Sequence, residues 1–253
     1  MTRAPRVSLV VPVHHCTGSL RIALDQLGQF LDAAGGRCEL VLVDDRGSDA
    51  DASAMLDAFA RRACVRLLRN DRNYGKGYSV KRGMLAATAQ YRVFTDADLA
   101  YPLDQVWKIV DALAGGADVA VACRVLPASQ YIMNAGYLRY IFTRHVMSRA
   151  FNRLVRLTLV PGVLDTQAGL KGFTAAAAQD VFSRVSIPGF GFDVESLYVA
   201  RSRNLRIAQV PVIFRYSDEP STVRFVKDGA RMAGDLARIR WRGLKGVYTA
   251  AGS

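Results

Sequence analysis

The sequence has no run near the roughly 18 apolar residues that cross a bilayer, so a spanning helix is not expected. It also has no CxxC pair. Its four cysteines, Cys16, Cys38, Cys64 and Cys123, are scattered over 253 residues, and three sit in apolar runs where a thiol packs as a small hydrophobe. That usage points to a reducing compartment. Glycine and proline are modest, at 21 and 8, and 51% of residues are hydrophobic, which argues against disorder and low complexity. The apolar run of residues 7–13 stops at His14 and His15 with no small-residue cleavage site, so it is expected to be a first strand, not a signal peptide. The familiar phosphate loops are missing too: HHCTGS follows the first strand where GxGxxG would stand, and GxxxxGK[ST] occurs nowhere.

Acidic residues are the scarcer charge, 22 against 34 lysines and arginines, giving a formal net charge of +12. Such a surplus favours polyanionic partners, namely nucleic acid, an anionic membrane or phosphorylated ligands, and does not choose among them.

Apolar, β-branched runs recur at 7–13, 39–45, 65–70, 91–98 and 117–124. Between them, Ser19 to Ala33, Asp51 to Ala63 and Pro102 to Ala114 carry apolar residues at three- and four-residue spacing. This alternation predicts an α/β fold with a mainly parallel central sheet and helices on both faces. The rhythm breaks after about residue 125 into a long helical stretch, a Gly-rich segment, another helix and a strand at 206–216. With no linker and no repeat, the expectation is one domain over 1–253. Its nucleotide-like half covers about 1–125 and a differently built acceptor half about 126–253.

In such sheets ligands bind where strands end, and acids fall there: Asp44 and Asp45 after the second run, Asp96 and Asp98 after the fourth. On extended backbone, residues i and i+2 share a side, so Asp96 and Asp98 are expected to converge on a hard divalent cation such as Mg²⁺ or Mn²⁺, shared with a diphosphate. The alternative is an Asp turn in which Asp98 caps the next helix. The stretch NYGKGYSVKRGML at 73–85 offers glycines for close backbone approach and cations at Lys76, Lys81 and Arg82.

PVHHC, VDDRGSD at 43–49, NYGKG with VKRGM, the DAD of TDADL, ACR at 122–124, DTQAGLKGF at 165–173 and FDVESL at 192–197 stand in this order along the chain. Together they resemble family 2 glycosyltransferases, and more narrowly the dolichyl-phosphate glucosyl- and mannosyltransferases and their bacterial polyprenyl-phosphate relatives, over about residues 7–240. The resemblance implies a GT-A fold, a nucleoside-diphosphate-sugar donor, a divalent metal and inversion at the sugar carbon. It implies that Pro12, Val13, Asp44 and Asp45 cradle base and ribose, that Asp96, Ala97 and Asp98 face ribose, metal and diphosphate, and that Lys76 and Arg124 neutralise phosphates. Asp165, Gln167 and Lys171 would lie near sugar and acceptor, with Asp193 and Glu195 on a helix bordering the cleft.

The sequence departs from the family's pattern in two places. His14, His15 and Cys16 replace a Tyr-Asn-Glu-like run, and Ala100 stands where mannosyltransferases of the group often carry a metal-reaching Gln. The DTQAGLKGF and FDVESL segments lean toward the glucosyl branch and a UDP donor, with GDP-mannose as the other option.

A lipid phosphate acceptor is already ionised, whereas an alcohol needs a general base. Asp193, Glu195 and Asp165 are the candidates for one, although Asp193 and Glu195 at i and i+2 on a helix cannot both enter the cleft. Placed at 100° per residue, segment 137–158 puts Tyr137, Tyr140, Ile141, Met147, Phe151, Leu154 and Val155 on one side and Arg139, Arg149, Arg153 and Arg156 on the other. That pattern fits an interfacial helix or a helix packed on the core with a solvated Arg face. Arg144 projects into the apolar stripe and is expected to reach the acceptor phosphate. A second basic stretch, Arg231 to Lys245, contains Trp241 between Arg240 and Arg242.

The expected protein is thus a cytoplasmic, metal-dependent hexosyltransferase, with peripheral attachment at the membrane's inner face as an option, acting on a polyprenyl or dolichyl phosphate. The alternatives are a transferase of the same fold acting on a small-molecule hydroxyl and, more remotely, a nucleic-acid-binding protein.

Overall fold

The computed structural model describes residues 6–14, 19–132, 152–216 and 225–249, with the backbone alone for 225–230. Arg144, most of the 137–158 segment, His15 and Cys16 lie outside the described residues.

The apolar runs form the strands β1 (Val7–Val13), β2 (Cys38–Asp44), β3 (Val65–Arg69), β4 (Tyr91–Phe94) and β5 (Val119–Cys123). Between them lie α1 (Leu20–Ala34), α2 (Ala50–Phe59), α3 (Lys76–Ala86) and α4 (Gln105–Ala114). A short strand β6 (Gln130–Ile132) follows, then helical residues 152–158 (α5), β7 (Lys171–Thr174), α6 (Ala175–Arg184), α7 (Phe192–Ser202), β8 (Ile207–Pro211), β9 (Ile213–Arg215) and α8 (Phe225–Leu244).

Seven strands make one sheet in the order β3-β2-β1-β4-β7-β5-β8, and β6 pairs with β9 in a separate ribbon. Strands from before and after residue 125 therefore share the one sheet. β1 is flanked by β2 and β4, both parallel to it, so the chain turns from one flank to the other at β1. In sheets of this kind the ligand crevice lies at such a switch, here at the carboxyl ends of β1 and β4.

Gly83 of α3 lies against Val10 and Val43, whereas Gly172 of β7 lies against Ile109 of α4 and Val93, the register partner of Leu9. Val10 and Leu9 are successive strand residues and point to opposite faces, so α3 and α4 cover opposite sides of the sheet. With both faces covered, Leu40 to Val43 are all fully buried, as a parallel interior strand requires.

The DTQAGLKGF segment contains the one departure from parallel order among the described strands. Its last residues form β7, antiparallel to both β4 and β5, with Lys171 opposite Phe94 and Val121. Because β7 runs against its neighbours, its first residue lies at their carboxyl ends, and the 165–169 loop before it is delivered to the crevice. The expected strand at 206–216 is two strands, broken at Val212. Edge-on and tilted contacts of Phe94 with Phe182 (6.5 Å) and Phe192 (5.7 Å) fix α6 and α7 beside β4.

Candidate active site

β4 ends at Phe94, and the chain then turns, with the Leu99 amide donating to the Asp96 carbonyl at 3.1 Å and Leu99 at φ +47°. Asp96 and Asp98 therefore stand on a turn, not on extended backbone as the i, i+2 argument assumed. Asp98 is exposed and does not cap α4; its Oδ1 accepts the Ala100 amide at 3.1 Å. Asp96 is half-buried, and Ala97 packs against the core.

Lys76, the first residue of α3, places Nζ 2.6 Å from Asp96 Oδ1 and 3.9 Å from Asp193 Oδ2. Burial opposes its charge, but Asp96, Asp193 and Asp98 outweigh burial and hold its pKa above the ordinary lysine value. Of the three cations in the 73–85 stretch, only Lys76 meets the acids. Lys81 donates to the Val185 carbonyl at 2.7 Å, and Arg82 donates to the Arg69 carbonyl and to Asn70 Oδ1, both at 2.6 Å.

Asp193, in the first turn of α7 where an acid favours the helix dipole, is buried between two ammonium groups. Its Oδ1 accepts from Lys171, which is fully enclosed and also donates to the Ala168 carbonyl at 2.6 Å. Burial lowers the Lys171 pKa even against the attraction of Asp193.

Arg124 follows β5 and grips Asp165 with Nε and Nη2 at 2.8 and 2.9 Å, while its own amide donates to the same carboxylate at 3.0 Å. Burial would raise the Asp165 pKa, but these bonds and the charge of Arg124 pull it below the ordinary value. The Arg124 guanidinium lies 5.1 Å from the Phe214 ring centre, and the Tyr101 ring meets Phe214 edge-on at 5.1 Å.

The other expected residues divide into those lining the crevice and those supporting it. Pro12 and Val13 end β1, with Val13 accepting the Asp45 amide at 2.9 Å. Asp44 is buried and accepts from Ser48 at 3.1 Å, with Arg69 Nε at 3.6 Å. Asp45 is a brace: its carboxylate takes the amides of Tyr74 (3.0 Å) and Gly75 (2.7 Å) and the Asn70 side chain (2.7 Å). Gln167 is half-buried on the 165–169 loop. Glu195 is not brought to the crevice. It is fully buried, its carboxylate accepting from the Ser186 and Ile187 amides, the Ser186 hydroxyl and the Tyr248 hydroxyl, because the α7 face it occupies looks inward. Leu154, expected on an apolar face with Val155, is half exposed while Val155 is fully buried.

Three groups were not read from the sequence. The Tyr101 hydroxyl is buried beside the Gly169 backbone, and Arg124, Asp165 and Asp96 act on it electrostatically. The Thr95 hydroxyl, just before Asp96, is buried and has no hydrogen-bond partner among the described residues. Gly169 matters for what it lacks, since a Cβ there would stand 2.2 Å from Asp96 Oδ2. Tyr101 lies three residues past the DAD, a signal of proximity only. Gly169 stands inside the DTQAGLKGF segment, a signal of neighbourhood that gave it no role of its own.

No cluster of three or more His, Cys, Asp or Glu side chains suited to a metal occurs among the described residues. Two carboxylates on the turn after β4, Asp96 packed against Gly169 and Asp98 exposed, nevertheless fit a Mg²⁺- or Mn²⁺-like ion. Such ions are commonly held by one or two protein carboxylates, with substrate phosphates and water completing the shell.

The profile described as Glycosyl transferase family 2 matches residues 8–182. The chain is 29% identical over 251 residues to a dolichyl-phosphate beta-glucosyltransferase of Dictyostelium discoideum, covering 96% of the chain and 76% of that relative. It is 26% identical over 254 residues to the dolichyl-phosphate beta-glucosyltransferase of Homo sapiens, covering 96% and 77%. Among solved structures it resembles glucosyl-3-phosphoglycerate synthase from Mycobacterium tuberculosis in complex with UDP. That match has a TM-score of 0.68 at 18% identity over 94% of the chain and 80% of that protein, a likeness of fold.

Proposed function

The chain belongs to glycosyl transferase family 2, and from that premise we propose that it moves a hexose, with inversion, from a nucleoside-diphosphate sugar to a polyprenyl or dolichyl phosphate. UDP-glucose is the favoured donor and GDP-mannose the second choice. The observation that carries the acceptor assignment is the state of the three carboxylates expected as general bases. Asp165 has both oxygens on Arg124, Asp193 lies between Lys171 and Lys76, and Glu195 is saturated by four donors. An alcohol acceptor would need one of them to take a proton, whereas a phosphate arrives ionised and needs only cations. The relatives named for dolichyl phosphate support the same reading.

In this reading the donor lies at the carboxyl ends of β1 and β4, its base and ribose against Pro12, Val13 and Asp44, its diphosphate between Lys76 and Arg124. Asp96 and Asp98 would hold a divalent ion, which supplies Lewis-acid stabilisation of the departing diphosphate. Lys76 and Arg124 add charge-assisted hydrogen bonds to the same oxygens in a partly enclosed site. An acceptor phosphate oxygen forms the new bond to the anomeric carbon as the bond from that carbon to the β-phosphate oxygen breaks, and no proton is transferred.

The acceptor's chain points to a membrane surface. Among the described residues no helix is long and apolar enough to cross a membrane. The end of α8 and the residues after it expose Trp241, Leu244 and Val247 beside Arg238, Arg240 and Lys245, with Lys245 Nζ 4.0 Å from the Trp241 ring centre. An apolar face with aromatic and basic residues is what an interfacial contact with anionic lipid requires. Cys38, Cys64 and Cys123 are free thiols, in keeping with the cytoplasmic side. Thermal stabilisation across UDP- and GDP-sugars, with and without Mn²⁺, tests the donor: a ligand that binds only the folded chain raises its melting temperature. If no nucleoside-diphosphate sugar does so, the proposal falls.

A further inference from the structure

We infer that Glu195 and Tyr248 are positioning residues for Lys76, acting from the carboxyl-terminal segment through the 186–188 segment; the inference rests on the reading of Lys76 as a ligand of the donor diphosphate. The first amides of a helix have no partner within it, so the start of α3 must be held from outside. Asp45 takes the Gly75 amide just before the helix at 2.7 Å, and inside it the partner is the Pro188 carbonyl, which accepts the Gly77 amide at 2.7 Å and the Tyr78 amide at 3.3 Å. The contact is close on both sides: Gly75, the residue before the helix, has φ +97°, and a Cβ on it would stand 2.6 Å from the Pro188 oxygen. One helical turn on, Lys81 donates to the Val185 carbonyl at 2.7 Å. The 185–188 segment is thus a clasp that, with Asp45, sets where Lys76 begins its reach to Asp96.

The clasp is itself held by one carboxylate. Glu195 Oε2 accepts the Ser186 and Ile187 amides at 2.8 and 2.7 Å, and Oε1 accepts the Ser186 hydroxyl at 2.9 Å. The fourth donor comes from beyond α8, where the Tyr248 hydroxyl reaches Glu195 Oε1 at 2.7 Å. Tyr248 is fully buried, its hydroxyl accepts from Arg242 Nε at 3.2 Å, and its ring meets Tyr198 of α7 edge-on at 5.6 Å. A buried carboxylate fixed by four donors is a stiff anchor, and each donor removed leaves a charge less well solvated. The order of contact is therefore Tyr248, Glu195, the 186–188 segment, the α3 amides, Lys76 and Asp96. Tyr248 comes directly after the exposed Trp241, Leu244 and Val247, so the segment proposed to meet lipid also ends in the anchor of the phosphate-binding lysine.

The test is Tyr248→Phe, which keeps the buried ring and removes only the hydroxyl, compared in the wild-type and Lys76→Ala backgrounds. Two readouts are taken on the full chain. Amide hydrogen exchange should accelerate at Gly77 and Tyr78 while the β1 and β2 amides keep their protection. Calorimetric affinity for UDP with Mn²⁺ should fall roughly two- to thirtyfold in the wild-type background and be unaffected by the same substitution in Lys76→Ala. Unchanged exchange at Gly77 and Tyr78, or an equal affinity loss in both backgrounds, overturns the inference. A wild-type chain that binds no nucleoside diphosphate would sink the proposed function instead, and the exchange rates would still decide the positioning role.

Discussion

The Lys76 ammonium and the Asp96 carboxylate meet at 2.6 Å, at the point where β4 gives way to the turn that carries Asp98. The lysine offsets the acid while it waits beside the place where phosphate is expected, so its removal costs both partners. Lys76→Ala should lower kcat/KM for the nucleotide sugar by roughly thirtyfold or more, about 2 kcal/mol, as truncation of a partly buried charge pair typically does. Steady-state kinetics on the donor check this, and an unchanged kcat/KM would remove Lys76 from the site.

Gly169 leaves room beside Asp96 that no side chain could share, since a Cβ would approach Oδ2 to 2.2 Å. Gly169→Ala should therefore turn the Asp96 carboxylate away from its position. Misplacement of this size costs on the order of 10²-fold in kcat. The melting temperature should move little, because the strain is relieved by one half-exposed side chain; kinetics and a thermal scan on the same preparation separate the two effects.

The pair of Arg124 and Asp165 makes a pH prediction. The Asp165 pKa in the folded chain lies below its ordinary value of 3.8, so the folded state binds its proton less readily than the unfolded state. The sign follows from linkage: the stability from this group is fully present above the unfolded value and is lost as pH falls through the folded one. Asp165→Asn should cost about 3 kcal/mol near neutral pH by leaving Arg124 without its charge partner. The gap between wild type and variant should narrow once the pH is below about 4, which urea unfolding at several pH values measures.

Chelation tests the turn after β4. UDP should raise the melting temperature of the wild-type chain in the presence of Mn²⁺ and lose most of that effect when the ion is removed. Asp98→Ala should behave with Mn²⁺ as the wild type does without it. If the variant keeps the full Mn²⁺-dependent shift, Asp98 is not a ligand.

The sequence made parts of this arrangement legible because they are local. Buried runs marked β1 to β5, and the acids at their ends marked the crevice side. What stayed hidden depends on contacts far apart in the chain. Lys171 and Asp193 are 22 residues apart and pair only because β7 inserts antiparallel between β4 and β5, a pairing no four-residue run announces. Helical spacing already said that Asp193 and Glu195 could not both enter the cleft; which one turns away was hidden, because the Ser186 and Ile187 amides and Tyr248 that take up Glu195 are brought to it by the fold. The turn at Leu99 likewise ended the extended backbone on which the pairing of Asp96 and Asp98 had been argued.

The central claim is that transfer goes to an ionised phosphate with no carboxylate base. The most direct measurement offers UDP-glucose to the wild-type chain with a polyprenyl phosphate and a panel of alcohols in the same vessel, and identifies the products by mass and anomeric configuration. The account predicts a glucosyl polyprenyl phosphate of inverted configuration and no glucosylated alcohol. Glucosylated alcohol with the lipid phosphate left untouched would contradict it.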